Sequence, residues 1–254
     1  MYVKPKKYLG QHFLLDDSIS QRISASLCIE KNHNLIEIGP GTGALTKFLL
    51  QEKINLVTFE IDQESIEYLN LNFPHLKVYN QDILNVNWAT LFNNNFSVTG
   101  NFPYNISSQI LFKIYENRDR VDKMVGMFQK EVAERLCSGP GTKKYGILSV
   151  LIQAFYNVNY LFTVNEDAFD PPPKVKSGVV KIKRNNIKKL DCDEKLFFRV
   201  VKAVFNQRRK MARNSLKAMF GDNKIDHLLL TKRPEQLSVS DFIELTKLLE
   251  SKIK

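Results

Sequence analysis

Gly100-Asn101-Phe102-Pro103-Tyr104-Asn105 follows Phe96-Ser97-Val98-Thr99, an apolar run that predicts a short strand. An amide, a proline and an aromatic at a strand end suit alkylation of the exocyclic amino group of a planar base. Such an amine is a poor nucleophile, because its lone pair is delocalised into the ring. The Asn101 side-chain oxygen and a main-chain carbonyl can each accept one N–H, drawing the nitrogen towards a pyramidal, more nucleophilic geometry. Pro103 fixes its own φ and keeps Phe102 extended, which holds the Phe102 carbonyl rigid. Tyr104 offers a face for stacking, a contact worth ~1–3 kcal/mol per base. The same four residues also make an ordinary strand-exit turn, so the rest of the chain has to decide.

A second group of residues describes a ligand. Leu35-Ile36-Glu37-Ile38 reads as a buried strand running into Gly39-Pro40-Gly41-Thr42-Gly43 and then a helix over about Ala44–Gln51. The glycines allow a tight turn and close approach of backbone to ligand. The spacing is G-x-G-x-G rather than the dinucleotide pattern, and no Lys-Ser/Thr follows to hold a phosphate. The next strand, Leu56–Phe59, ends at Glu60-Ile61-Asp62, where an acid suits a pair of ribose hydroxyls. A third, Leu76–Tyr79, leads to Asp82-Ile83. Asp82 can accept a hydrogen bond from an adenine amino group, with Ile61 and Ile83 flanking the ring. Glycine turn, Glu60, Asp82 and Asn101 at successive strand ends describe a nucleoside without a pyrophosphate, which fits S-adenosylmethionine.

The elements that must position these residues follow in chain order. A basic arm, Lys4-Pro5-Lys6-Lys7, ends in Gln11-His12-Phe13-Leu14 and can fold over a pocket or lie on RNA phosphates. Ile19, Ile23 and Leu27 mark one face of a helix over 16–29, capped by Asp16 or Asp17. Beyond Tyr104 the pattern predicts a helix from Ser107 or Ser108 to Glu116, a strand at Met124–Phe128 and a helix at Lys130–Cys137. The segment Ser138–Gly146 is a basic loop, and an apolar helix spans Gly146–Tyr156. Strands near Val158–Phe162 and at Gly178–Ile182 flank Phe169-Asp170-Pro171-Pro172-Pro173-Lys174-Val175. Those prolines make a stiff loop that presents Phe169 as a core plug or as an aromatic wall opposite Tyr104. Residues 185–193 read as a linker to a helical remainder carrying Phe205-Asn206-Gln207-Arg208-Arg209-Lys210, with Arg213 and Lys217 further along.

At 254 residues and 43% hydrophobic content the chain can hold a main domain and a small one, taken as 1–184 and 185–254. It carries 37 Lys/Arg against 27 Asp/Glu, and from residue 185 onward 16 against 9. That excess favours nucleic acid over a membrane, since no long apolar span appears. Cys28, Cys137 and Cys192 are scattered, without C-x-x-C spacing, as expected of reduced thiols in a cytoplasmic protein. His12, His33, His75 and His227 show no ligand spacing, so no metal is expected. The basic N-terminus lacks a following apolar stretch and does not read as a secretory signal.

With these residues assembled, the chain resembles the ribosomal RNA adenine dimethyltransferases of the small subunit over nearly its whole length. The resemblance rests on five blocks in order: Gly10-Gln11-His12-Phe13-Leu14, Glu37 to Thr46, Asn101-Phe102-Pro103-Tyr104, Phe169-x-Pro171-x-Pro173-Lys174-Val175, and Phe205-x-x-Arg208-Arg209-Lys210. It implies a Rossmann-like α/β methyltransferase sheet of seven strands with a small all-α C-terminal domain. It places cofactor contacts on His12, Leu14, Gly39, Glu60, Asp82 and Asn101, joined by Gln11 of the arm, Gly41 of the glycine turn, and Ile61 and Ile83 beside the strand-end acids. Catalysis falls to Asn101, Phe102, Pro103 and Tyr104, and substrate contacts to Tyr104, Phe169, Arg208, Arg209 and Lys210. The implied reaction is dimethylation of N6 on two adjacent adenosines in the 3′-terminal hairpin loop of 16S ribosomal RNA. The implied partner is an assembling 30S particle, met by a monomer. Phe102 is a departure, since leucine is commoner there. A large-subunit RNA methyltransferase would share Asn101–Tyr104, but Pro40-x-Thr42-Gly43 and the basic tail argue against it. A DNA adenine methylase or a non-catalytic RNA-binding assembly factor fits less well, the latter because Glu60, Asp82, Asn101 and Tyr104 are all present.

Overall fold

Leu35, Ile36 and Ile38 leave β2 (Asn34–Ile38) apolar on both faces, which suits only an interior parallel strand. The computed structural model describes residues 2–220 and 226–253, and there β2 lies between two parallel neighbours. On one side stands β3 (Asn55–Glu60), on the other β5 (Phe96–Asn101). The sheet continues outward through β4 (Lys77–Asn80) beyond β3, and through β6 (Val121–Gln129), β9 (Ser177–Arg184) and β7 (Tyr156–Val164) beyond β5. The order of this seven-stranded sheet is therefore β4-β3-β2-β5-β6-β9-β7, with β9 antiparallel to β6. Chain order reverses beside β2, so a crevice opens at the carboxyl ends of β2, β3, β4 and β5. This is the α/β architecture expected from the sequence.

Register sets which residues reach that edge. Ile38 pairs with Phe59, Glu60 with Asn80, and Glu37 with Thr99. The glycine turn, Glu60, the loop holding Asp82, and Asn101 thus emerge side by side. Helix α1 (Asp17–Leu27) buries Ile19, Ile23 and Leu27 and is capped by Asp16, whose carboxylate accepts the Ser18 N–H at 2.9 Å. Helix α2 is shorter than the sequence suggests, at Thr46–Leu49. Gly43 is left-handed, with φ of 80°, and Phe48 N–H donates to the Leu45 carbonyl, so the turn tightens before it becomes α-helical. Helix α3 (Gln63–Asn72), absent from the sequence reading, crosses from β3 to β4. Helices α4 (Ser107–Glu116) and α5 (Lys130–Cys137) follow β5 and β6. A further two-stranded pairing, β1 (Phe13–Leu14) with β8 (Phe169–Asp170), ties the end of the basic arm to the proline-rich loop.

The chain divides into two compact units, residues 1–133 with 158–184, and residues 134–157 with 185–254. Residues 134–157, expected in the first domain, thus group with the second. The reason is local: α6 (Ile147–Gln153) is apolar nearly throughout and packs on α7 (Glu194–Asn206) and α9 (Val239–Ile253). Helix α7 buries Leu196, Phe197, Val200, Val201 and Val204 along one stripe, and Phe205 stacks on Phe242 with ring centroids 5.6 Å apart. Arg208, Arg209 and Lys210, expected within a helical remainder, occupy the turn between α7 and α8 (Ala212–Phe220), because α7 ends at Asn206. Among the described residues no helix is long and apolar enough to cross a membrane.

Candidate active site

The carboxyl edge of the first unit holds a cleft of about 1010 Å³, part of it open solvent, lined by the arm, the glycine turn, Glu60, Asp82 and the Asn101–Ile106 segment. Gly39 and Gly41 are left-handed, with φ of 66° and 55°. A Cβ on Gly41 would lie 2.9 Å from the Phe13 ring, so the turn needs glycine both for its backbone and for the arm above it. Glu60 is 6% exposed, and its carboxylate accepts N–H groups from Ile61 at 2.8 Å, Asp62 at 3.0 Å and Gly41 at 3.1 Å. Burial pushes its pKa up against the pull of those three donors. Three of roughly four lone-pair positions are taken, which leaves capacity for a ribose hydroxyl. Ile61, 50% exposed, gives the cleft an apolar edge. This donor set fits S-adenosylmethionine: a fixed carboxylate for the diol, an aliphatic edge for the purine, and no cationic phosphate clamp.

Asn101 is oriented by the arm. Its Nδ2 donates to the His12 carbonyl at 2.9 Å, and because a carbonyl only accepts, Oδ1 is the atom left over as an acceptor. Phe102 turns its ring into the core, 1% exposed and 4.9 Å from the Phe128 ring. A Cβ on Gly126 would fall 2.0 Å from Phe102 Cε2, and one on Gly100 would fall 3.0 Å from Cε1. The two glycines make room for an aromatic ring here and account for Phe102. Its N–H is bound to the Met127 carbonyl at 3.2 Å. Tyr104 is half-buried rather than exposed, and its hydroxyl meets the Ser177 hydroxyl at 2.5 Å. Burial raises its pKa, so the phenol keeps its proton.

The structure separates the predicted site residues into those that converge and those that do not. Gln11, His12, Leu14, Gly39, Gly41, Glu60, Ile61, Asp82 and Asn101–Tyr104 all line the cleft. Gln11 has both ends of its amide engaged, Nε2 on Asp62 at 3.0 Å and Oε1 on the Lys6 N–H at 2.8 Å, so it braces the arm. Asp82 already accepts the Leu84 N–H at 2.9 Å and the Asn85 amide at 3.1 Å. Ile83 is 3% exposed and faces the interior, where its carbonyl takes the Trp88 indole N–H at 3.1 Å. Phe169 is no wall for a base: it is 3% exposed in the core, because pairing with Leu14 turns its side chain inward. The ring that does face Tyr104 is His12, with centroids 5.5 Å apart and planes at 30°. His12 Nδ1 lies 2.7 Å from the Pro171 carbonyl and must donate to it, which fixes the tautomer. In the second unit, Arg208 donates to the Thr142 carbonyl at 3.2 Å, while Arg209 and Lys210 are exposed.

Sequence reasoning missed three participants. Glu37 lines the cleft yet is 1% exposed, and its signal was an acid inside the apolar run Leu35–Ile38. Asp62, 2% exposed, anchors the arm through Lys6 and Gln11 and also accepts the Ser65 hydroxyl of α3. Burial would push its pKa up, but those hydrogen bonds outweigh it and hold the carboxyl below the usual range. Ser177 had no signal at all, since only β9 packing beside β6 brings it to Tyr104.

A family model described as ribosomal RNA adenine dimethylase matches residues 3–251. A protein of Parabacteroides distasonis named ribosomal RNA small subunit methyltransferase A is 56% identical, covering 96% of this chain and 93% of its own. One of the same name from Flavobacterium johnsoniae is 53% identical over 98% of this chain and 97% of its own. The crystal structure of a dimethyladenosine transferase from Plasmodium falciparum superposes with a TM-score of 0.80 at 26% identity, covering 95% of this chain and 98% of that one.

Proposed function

Because the chain belongs to the ribosomal RNA adenine dimethylase family, we propose that it dimethylates N6 of two adjacent adenosines in the 3′-terminal hairpin loop of 16S ribosomal RNA, using S-adenosylmethionine. The observation that carries this reading is the Asn101 amide, held by the His12 carbonyl at 2.9 Å so that its acceptor atom is left free at the cleft. The cofactor, when bound, supplies an electrophilic sulfonium methyl. Asn101 Oδ1 and the Phe102 carbonyl accept the two N6 hydrogens and concentrate the lone pair on nitrogen. Tyr104, braced by Ser177, holds the base plane. No strong base is required, because the proton leaves after the amine has become cationic. Extrusion of the base costs a few kcal/mol and least in a loop, which favours a hairpin-loop target.

The working particle in this reading is an assembling 30S subunit in the cytoplasm, met by a single copy of the chain. Nucleoside mass spectrometry of small subunits lacking the modification, incubated with the protein and S-adenosylmethionine, tests it. Dimethyladenosine should appear at two adjacent positions. Its absence, with the cofactor shown to bind, would refute the substrate assignment.

The basic turn contacts RNA phosphates in this reading. Arg209 and Lys210 are exposed beside Arg213 and Lys217 on α8, whereas Arg208 is spent on Thr142. Replacing Arg209 and Lys210 by Gln should shallow the salt dependence of subunit binding by roughly 0.7–0.9 log units per lost contact. The melting temperature should hold. Arg208→Gln should do the reverse, lowering the melting temperature with an unchanged slope. A parental slope in the double variant would exclude phosphate contact by this turn.

A further inference from the structure

The N-terminal arm looks by composition like a frayed basic terminus, yet it is pinned at several points. Val3 is 3% exposed, Lys6 pairs with Asp62 and with Glu64 at 3.2 Å, and Gln11 reaches Asp62 at 3.0 Å. With those residues turned inward, Lys4, Lys7 and Tyr8 face solvent. Tyr8 is 77% exposed on a single helical turn, Lys7–Leu9, that ends at Gly10. Gly10 is left-handed and abuts the segment after Tyr104, since a Cβ there would lie 3.0 Å from Asn105 Oδ1. Leu9 and Gly10 line the cleft, so Tyr8 stands at its rim. The proline-rich loop meets the arm through β1–β8 and the His12–Pro171 hydrogen bond, and its Lys174 and Lys176 are exposed as well. Against these four lysines stand Asp170 in the loop and Glu166 and Asp167 just before it, while Glu64 is engaged by Lys6.

We propose that this rim docks the unpaired RNA strand beside the target adenosine, with Tyr8 as the stacking platform for a flanking nucleotide and Lys4, Lys7, Lys174 and Lys176 on its phosphates. The proposal rests on the RNA-methylating role argued above and extends it to a surface outside the catalytic cleft. An aromatic face among cations is how single strands are gripped without sequence preference. Extruding one base also bares the face of its neighbour, and a fixed aromatic at the cleft rim can cover it. A tyrosine on a segment already held down gains little from folding by staying exposed, so its orientation suits an external partner.

The test uses the full chain and two probes, small subunits lacking the modification and protein-free small-subunit RNA. Tyr8→Ala should weaken binding of both by roughly 5- to 150-fold, the worth of one base–aromatic stack, while Tyr8→Phe binds as the parent does. Lys4→Gln with Lys7→Gln should flatten the salt dependence by about 0.7 log units per lost contact. Cofactor affinity and melting temperature should stay at parental values in all three. Parental binding of both probes by Tyr8→Ala would overturn the proposal. Weakening on intact subunits alone would also overturn it, by assigning Tyr8 to a ribosomal protein. A parent protein that binds neither probe would instead bring down the RNA-methylating reading itself, and this surface with it.

Discussion

Asn101→Ala is expected to slow methyl transfer at saturating cofactor by at least about 100-fold, the usual loss when one preorganised polar group is removed from a reacting centre. RNA affinity should be nearly unchanged, since Asn101 reaches no phosphate. The substitution removes two things at once: the Oδ1 acceptor left over at the cleft, and the Nδ2 bond to the His12 carbonyl at 2.9 Å. The second loss loosens the arm and should weaken the cofactor. Calorimetry of the cofactor and single-turnover rates on small subunits, measured on one preparation, separate the two. If high cofactor restores turnover, Asn101 serves the arm and not the amine. If turnover stays low once the cofactor saturates, polarisation of N6 stands.

The second large effect concerns pH and Glu37. This carboxyl is 1% exposed in β2, with a single side-chain donor in the Thr46 hydroxyl at 2.8 Å. Burial is the main cause that lifts its pKa to about 8, with the Glu60 charge adding to it. In the unfolded chain a glutamate ionises near its ordinary value of about 4.3. Between those two values the folded protein keeps a proton that the unfolded chain has lost, so stability falls as pH rises through this window. Below it both states are protonated and Glu37 contributes no slope. The decline amounts to a few kcal/mol. Glu37→Gln retains the shape and an acceptor for Thr46, so it should flatten the curve and be the more stable protein near pH 8. Glu60 is shifted in the same direction and leaves a residual slope. Asp62, whose pKa is lowered, acts with the opposite sign, its contribution fading as pH falls. Urea unfolding of both proteins at several pH values checks this. Parallel curves would show that Glu37 is ionised in the folded state.

Both predictions depend on residues whose placement was unevenly legible. Strand ends at Gly39, Glu60 and Asn101 could be read from apolar runs that stop at glycine, acid or amide. Such runs are set by local composition and by burial on both faces of a parallel sheet. The identity of the ligand followed from the same residues, because the absence of a phosphate-binding Lys-Ser/Thr is a property of the chain alone. The family blocks were likewise linear, and their order along the chain is what made the resemblance specific.

Other features depended on distance in space. Nothing in the order of residues says that Phe169 turns into the core while His12 takes the place opposite Tyr104. That follows from a two-residue register between β1 and β8, and in a strand a shift of one residue would have faced Phe169 the other way. Residues 134–157 left the first domain because α6 offers its apolar surface to α7 and α9, a choice of partner that periodicity does not encode. Ser177 meets Tyr104 across 73 positions, and Lys6 meets Asp62 across 56. The sequence by itself determined the chemistry available at each strand end, since side-chain type and backbone propensity are local. Which of those groups stay free for a ligand, as Asn101 Oδ1 does, and which are used up in bracing, as Gln11 is, was decided by the tertiary structure. The reason is that hydrogen-bond capacity is spent on whichever partner the fold brings within reach.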